Sequence, residues 1–435
     1  MERKILVAGA GHGGLTAAVA LAKNNYNVTV IEQNDRENLG YDWHDAVNMS
    51  AFDMSGIPRP QKDKLIFFGA QRLKNPSGTV EIDVPNSNKD GFYIDRKVLI
   101  SHLINYAEKV GVKFLFSHKV LYPITHENKV TALNVSDGKR TYIINCDLVI
   151  DAAGMDSPVR KNLPKSLGIT KDLNEKDIFH VYRVYFKNNS GAVTTPYTTI
   201  NVFHLRRPGI DWTITQKDYV DILIGKFGFA GELTQNEVDE TIDKYRQDYP
   251  FISKEKLRGG QFAHIPLTKM LPMLVCDGYA AVGDSAGMTI PLSGSGIALS
   301  MKAGRLLADT VINSKGNFTK EELWKYEYEY FQRFGKELII ADSLKNISSF
   351  ISAKQIDFLA EKKLITSETL NFALKSLSTK QVKNLIRAVP QLSKLIPPLF
   401  FTFKSYPLLP VVSRYMPEKY DEDKVKAWTK LYSKI

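Results

Sequence analysis

The tightest constraint on this chain lies in its first thirty-two residues. Ile5 to Ala8 form an apolar run that reads as a buried parallel strand. Gly9, Gly11 and Gly14 follow with G-x-G-x-x-G spacing, and Gly13 adds a fourth glycine. The spacing has a mechanical meaning. The first glycine makes a tight turn, the second lets a pyrophosphate approach the backbone, and the third lets the next helix pack on the strand. That helix, expected over about Gly13 to Asn24, offers free N–H groups and a positive dipole end to phosphate. A second strand, Asn27 to Ile31, ends at Glu32, whose carboxylate suits the hydroxyls of an adenosine ribose. An acid there disfavours a 2′-phosphate, so the pattern points to FAD or NAD rather than NADP.

The same α/β texture continues and then breaks. Gly40 to Asn48 reads as a loop containing Trp43, His44 and Asp45, beside a cofactor or as a plain hydrogen-bonded cap. Lys64 to Tyr93 reads as short strands with turns at Asn75–Gly78 and Pro85–Gly91. A helix from about Asp95 to Val110, a strand over Val112–Phe116, a hairpin-like insert from Lys119 to Asn145 and a buried strand from Asp147 to Gly154 follow. From about Ile169 to His264 the pattern alternates, as expected of a mostly antiparallel sheet (Phe179–Phe186, Thr198–Leu205, Asp211–Gln216, Tyr219–Lys226) with one helix near Gln235–Gln247. At Met273 the α/β texture returns: a short strand ends at Gly283-Asp284, a glycine-rich loop runs to Gly296, and an amphipathic helix covers Ile297 to Ile312.

The expected fold is therefore α/β. It consists of a discontinuous Rossmann-like nucleotide domain (1–63, 92–165 and 265–315), an inserted mostly antiparallel sheet domain (64–91 and 166–264) and a helical C-terminal region (316–435). A chain of 435 residues accommodates two or three domains. Charges at Glu2, Arg3 and Lys4 lead straight into a strand, so no signal peptide is expected. No run of about 18 apolar residues predicts a membrane span. Two cysteines, Cys146 and Cys276, exclude a cysteine-ligated iron–sulfur cluster, and no residue is assigned to a metal. The net charge is +11, and part of it is concentrated where no acid occurs between Glu368 and Glu418. That basic, apolar stretch, 369–417, suits an anionic membrane surface or a cap on the other domains. Its basic residues are interleaved with Leu and Pro, which argues against nucleic acid.

Three motifs in order, the N-terminal fingerprint, Val149-Ile-Asp-Ala-Ala-Gly154 and Ala281-Val-Gly-Asp-Ser-Ala-Gly287, resemble the flavoprotein superfamily of aromatic hydroxylases and geranylgeranyl reductases. The resemblance implies FAD. It implies that Asp284 bonds the ribityl chain, that Pro291–Ile297 runs past the flavin ring, and that the helix start at Gly296 and Ile297 stabilises charge on the reduced ring. It adds Arg96 at a helix start near FAD, and Val120, Gly154 and Gly283 along the cofactor's path. The stretch Gly283–Gly304 looks most like the geranylgeranyl reductase branch. Pro208–Ile214 is similar to that branch's Tyr-x-Trp-x-Phe-Pro box but departs from it, and Tyr41–Asp45 stands where the reductases carry a cysteine loop. Ala152-Ala-Gly154 replaces the hydroxylases' Ala-Asp-Gly, which leaves the electron donor open between NAD(P)H and another external reductant.

The expected activity is an FAD-dependent oxidoreductase reducing, or dehydrogenating, a C=C bond of a hydrophobic lipid or isoprenoid-like substrate, with His44 or Asp45 as proton source and Trp43, Phe203, Trp212, Pro291 and Ser293 around the substrate. The alternatives are an FAD monooxygenase acting on an aromatic or lipid molecule, and a flavin-binding peripheral membrane protein without turnover. A cytoplasmic location, peripheral to the membrane, goes with these readings. The sequence leaves the oligomeric state open.

Overall fold

The computed structural model describes residues 3–67, 69–84, 90–170, 173–191, 197–366 and 408–435. A six-stranded sheet forms its first layer. β1 (Lys4–Ala8) lies at the centre, parallel to β2 (Asn27–Ile31) on one side and to β12 (Leu148–Asp151) on the other. β8 (Lys113–Leu115) extends the β2 edge, while β19 (Tyr279–Ala281) and β18 (Val275–Cys276) extend the β12 edge. The chain therefore re-enters this sheet three times after leaving it, and the last return brings Gly283-Asp284 to the carboxyl end of β19 beside the glycine turn.

Helix α1 (His12–Ala22) is buried from Gly13 to Leu21, so it is the central helix of the domain. It packs on α6 (Ile297–Asn313) backbone against backbone. A Cβ on Gly304 would stand 2.1 Å from the Gly13 carbonyl oxygen. α3 (Arg96–Lys109) starts where the Asp95 carboxylate accepts the Lys97 N–H at 2.8 Å. A three-stranded insert, β9 (Lys119–His126), β10 (Lys129–Ser136) and β11 (Thr141–Asn145), and the short α4 (Pro158–Asn162) complete this side.

The second layer is a seven-stranded sheet in the order β17–β13–β16–β15–β14–β5–β6. Its strands are β5 (Ala70–Lys74), β6 (Glu81–Val84), β13 (Ile178–Asn188), β14 (Tyr197–Val202), β15 (Ile210–Thr215), β16 (Tyr219–Phe227) and β17 (Ile252–Pro266). All contacts are antiparallel except β5 on β14. β13 is buried on both faces, and its period-2 alternation divides two cores. Tyr182, Val184 and Phe186 face α5 (Gln235–Asp248), whose start carries a Thr234/Glu237 capping box. Phe179, Val181 and Tyr185 face the nucleotide domain, in a cluster with Trp43, Phe203, Leu223 and Phe227.

A second three-stranded sheet joins the layers: β3 (His44–Asn48), β7 (Gly91–Asp95) and β4 (Leu65–Phe67). It leads into α2 (Met49–Ser55). The C-terminal region holds α7 (Lys320–Tyr330), a π turn (Phe331–Gly335), α8 (Lys336–Ile347), α9 (Ala353–Glu361), α10 (Leu408–Tyr415) and α11 (Glu422–Tyr432).

Several expectations need correction. His44 to Asn48 is a strand, not a loop, because β7 supplies a complete antiparallel partner. Of 64–91, only β5 and β6 join the large sheet, whereas β4 pairs with β7 on the nucleotide side. The strand expected to reach Leu205 ends at Val202, where Phe203, Leu205 and Arg206 turn with φ of 51°, 52° and 61°. β17 was missed. Its Gly259–Gly260 bulge, with φ of 70° and 78°, breaks the alternation that marks a strand. Of 369–417, only 408–417 falls among the described residues, and there Leu409, Val412 and Met416 are buried in the main core.

Candidate active site

The glycine turn is closed from below by the end of β12. Gly9 adopts φ 86°, and a Cβ there would come within 2.7 Å of the Ala152 carbonyl oxygen; a Cβ on Gly11 would meet the same oxygen at 2.8 Å. Gly11 caps α1 without a side-chain bond, so the first-turn N–H groups have no side-chain acceptor. This is a cradle for an anion. Glu32 accepts the Ala10 N–H at 2.9 Å on one oxygen and the Asn34 N–H at 2.9 Å on the other. A carboxylate has about four lone-pair sites, so acceptor capacity remains for a ribose. The chain from Ser117 returns beside it, with the His118 N–H donating to the Glu32 carbonyl. Val120 follows on β9 with its side chain in the core.

Asp284 and Gly296 lie together at the far end. A Cβ on Gly296 would stand 3.6 Å from the Asp284 carboxylate. Burial pushes the Asp284 carboxyl up, against the nearby Arg96 cation and a Thr289 hydroxyl that donates at 3.2 Å. A buried carboxylate with one hydroxyl donor fits a chain of further hydroxyls. Gly296 caps α6 without a side chain, leaving the Ile297 turn free for charge. Pro291 is buried, whereas Ser293 is exposed on the loop between them.

Arg96 ties these parts to the second layer. Its Nη2 donates to Asp45 Oδ1 at 2.7 Å, and its Nε donates to Oδ2. The guanidinium also lies over Tyr41 and Trp43, at 5.2 and 5.6 Å from their ring centroids, and these two rings stack at 4.2 Å. Burial raises the Asp45 pKa, but Arg96 outweighs it and holds the carboxyl below the usual range. Asp45 is therefore the ionised partner of Arg96 and not a proton source. His12, within the fingerprint, has a buried Nε2 with no partner among the described residues; burial and Arg96 lower its pKa to about 4.

His44 is clamped by the large sheet. Its N–H donates to the Tyr185 hydroxyl at 2.9 Å, and Arg183 Nη1 donates to its carbonyl. Arg183 Nε in turn donates to Asp221 at 2.9 Å in a buried pair. Burial, with Arg258 and Arg183 beyond it, lowers the His44 pKa, so the imidazole is neutral at neutral pH. The ring lies 5.5 Å from that of Tyr185 and 6.0 Å from that of Tyr219. Burial pushes the Tyr219 phenol up to about 12, with Asp221 adding to the shift. Trp212 lies over the Arg183 cation at 5.4 Å, while Phe203 is core at a turn.

Two groups escaped the sequence reading. Asp151, fully buried, accepts from the Tyr279 hydroxyl at 2.9 Å, the Ser285 hydroxyl at 3.1 Å and the Ser157 hydroxyl. Ser285 also donates to the Gly154 carbonyl at 3.0 Å, so this acid sews Val149–Gly154 to Gly283–Gly287. A lone acid inside an apolar run was the available signal. Arg258, beside the β17 bulge, binds Asp42 at 2.9 Å and Asp95 at 2.6 Å, joining the sheet to the Tyr41–Asp45 segment and to the cap of α3. Nothing in its local sequence marks it. Among the described residues no group of three or more His, Cys, Asp or Glu could hold a metal.

The FAD binding domain family matches residues 2–330. The chain belongs to this family. The flavoprotein takes FAD as cofactor, with the glycine cradle, Glu32 and Asp284 as the residues that fit it, and it is an FAD-dependent oxidoreductase. It is 24% identical over 385 residues to the digeranylgeranylglycerophospholipid reductase of Sulfolobus acidocaldarius, covering 85% of this chain and 82% of that one. The reductase of the same name from Methanocaldococcus jannaschii is 24% identical over 398 residues, with 90% and 96% covered. In fold, the flavoprotein is similar to a geranylgeranyl bacteriochlorophyll reductase-like protein of Thermoplasma acidophilum, with a TM-score of 0.74, 21% identity and 91% and 99% of the two chains covered.

Proposed function

We propose that the flavoprotein reduces C=C bonds in an isoprenoid lipid. The observation that carries this reading is the aromatic, apolar cluster between the two layers. The inner face of the large sheet (Phe179, Val181, Tyr185, Leu223, Phe227) packs there with Tyr41 and Trp43 and with Ile351, Ile356 and Ile365 of the C-terminal region. The names of the relatives, which extend over most of both chains, support the same substrate class. Bound FAD, once reduced by an external donor, supplies hydride from N5. The chain's own residues hold and orient. The cradle at Gly9–Gly14 fixes the pyrophosphate, Asp284 takes the ribityl hydroxyls, and the Ile297 turn faces negative charge. Stacked Tyr41 and Trp43, braced by Arg96, pack against the apolar cluster and shield it from water. His44, flanked by the protonated Tyr185 and Tyr219, is the group we assign to proton delivery: its imidazole, uncharged at rest, would take a proton from solvent and pass it on as the imidazolium.

Contact with an anionic membrane surface completes the reading. The acid-free stretch 369–417 supports it, and the outward side of α10 presents Val411, Arg414 and Tyr415. No helix among the described residues is long and apolar enough to cross a membrane. The test is product mass. Reduced holoenzyme incubated without air with a geranylgeranyl lipid is expected to add two hydrogens per reduced bond. An unchanged lipid, or one that gains oxygen only when air is admitted, overturns the proposal.

A further inference from the structure

A cavity of about 350 Å³ lies between α2, α6 and the π turn, and none of its lining residues belongs to the aromatic cluster. Its size falls within the range of about 300–1,000 Å³ usual for small-molecule sites. Lys302, Arg305, Leu306 and Asp309 line one side, spaced along one face of α6. The π turn contributes Arg333 and Phe334. Such turns recur at functional sites. This one depends on Gly335, where a Cβ would stand 2.5 Å from the Phe331 ring.

The charges around the cavity are unequally matched. Both oxygens of Asp309 are taken by Arg305 Nε, at 2.9 and 3.1 Å. Asp53 is taken by Arg59 Nε at 2.8 Å and by its Nη2. Each acid is thus held by one arginine, while donors remain. Among the described residues the terminal amino groups of Arg305 make no hydrogen bond, and its Nη1 lies along the open side of Gly56. Among the same residues Arg333 uses only Nη2, on Glu329 at 2.8 Å. Lys302 meets no carboxylate among the described residues; its ammonium lies 5.9 Å from the centre of the Phe334 ring. Below these donors the lining is apolar: buried Leu306 and the Phe334 ring, with exposed Met54 at the mouth.

We propose that this cavity binds the phosphate-bearing headgroup of an anionic lipid. The phosphate, which carries acceptors and no donor, takes Lys302, Arg305 and Arg333. The first part of the hydrocarbon chain lies on Leu306, Phe334 and Met54. The stretch 369–417 has the same sign of charge as the rim, so charge complementarity selects an anion over that part of the chain itself. The site stands apart from the reaction assigned above and does not depend on it.

The test uses FAD-loaded protein titrated with dihexanoylphosphatidylglycerol below its micelle concentration, followed by calorimetry. Saturable binding to one site is expected, weakened at least tenfold in Lys302→Glu and in Arg333→Glu, with the flavin spectrum unchanged as the check on folding. Dihexanoylglycerol, which lacks the phosphate, is expected not to bind. Absence of saturable binding, or equal affinity in wild type and both variants, overturns the proposal. So does binding of inorganic phosphate or of NADPH as tight as that of the lipid, since either would make this a site for a free anion or a nucleotide.

Discussion

The two layers of this molecule build their sites by different means. In the nucleotide layer the site is largely backbone, with the Glu32 and Asp284 carboxylates beside it: Gly9 and Gly11 against the Ala152 carbonyl, Gly13 against Gly304, and two helix starts without side-chain caps. In the sheet layer it is made of side chains that meet from distant strands: Arg183 with Asp221, Tyr185 with His44, and Arg258 with Asp42 and Asp95. The first kind of site tolerates almost no added atom. The second tolerates shape changes but not the loss of one partner from a buried pair.

Substitutions separate the two. The largest effect is expected of Gly9→Val. It combines a strained φ with overlap on Ala152, about 5 kcal/mol in total, and should give protein without FAD by absorbance. Next, Asp221→Ala leaves the Arg183 guanidinium buried without its partner and should cost about 4 kcal/mol in denaturant unfolding, while FAD affinity of the folded fraction holds. If Asp221→Ala released FAD as readily as Gly9→Val, the division between the layers would fail.

The third prediction concerns pH. Glu327, fully buried, accepts the Met273 and Leu274 N–H groups at 2.8 and 2.7 Å, and burial raises its pKa to about 7 from 4.5. Below 4.5 both folded and unfolded chains carry this proton. Between 4.5 and 7 only the folded chain does, so stability falls as pH rises through that window, by about 3 kcal/mol in all. His12 acts in the opposite direction: with its pKa lowered to about 4 from 6.5, its contribution is present above 6.5 and lost as pH falls. Unfolding curves from pH 4 to 8 should therefore slope downward with pH in His12→Asn relative to wild type, and upward in Glu327→Gln.

The smallest effect is expected at the link between layers. Arg258→Gln removes the tie to Asp42 and Asp95 without adding bulk, and should weaken FAD binding by roughly tenfold or less, about 1 kcal/mol, measured by flavin fluorescence. No change would mean that the cap of α3, and Arg96 with it, holds without the sheet.

The same division explains what could be read beforehand. Gly9 to Gly14 and Glu32 are recognisable because a backbone site needs certain residue types at set spacing, and Arg96 and Gly283-Asp284 because their stretches resemble those of the flavoprotein superfamily. β13, β16 and α5 were legible from periodicity. β17 was not, since its bulge glycines interrupt the alternation, and neither was β3, whose partner lies more than forty residues on. The Asp45 pairing and the Arg258 link depend on tertiary register, which no local pattern encodes. Of the two acids expected in that segment, Arg96 pairs with Asp45, and His44 stays as the group proposed for proton delivery.

The most direct test of the account is anaerobic reoxidation. Holoenzyme reduced by one equivalent of dithionite is mixed with a geranylgeranyl lipid in a stopped-flow cell without oxygen. The account predicts return of the oxidised flavin spectrum with one C=C bond saturated per FAD. A flavin that stays reduced until air enters, with the lipid then recovered unsaturated, would contradict it.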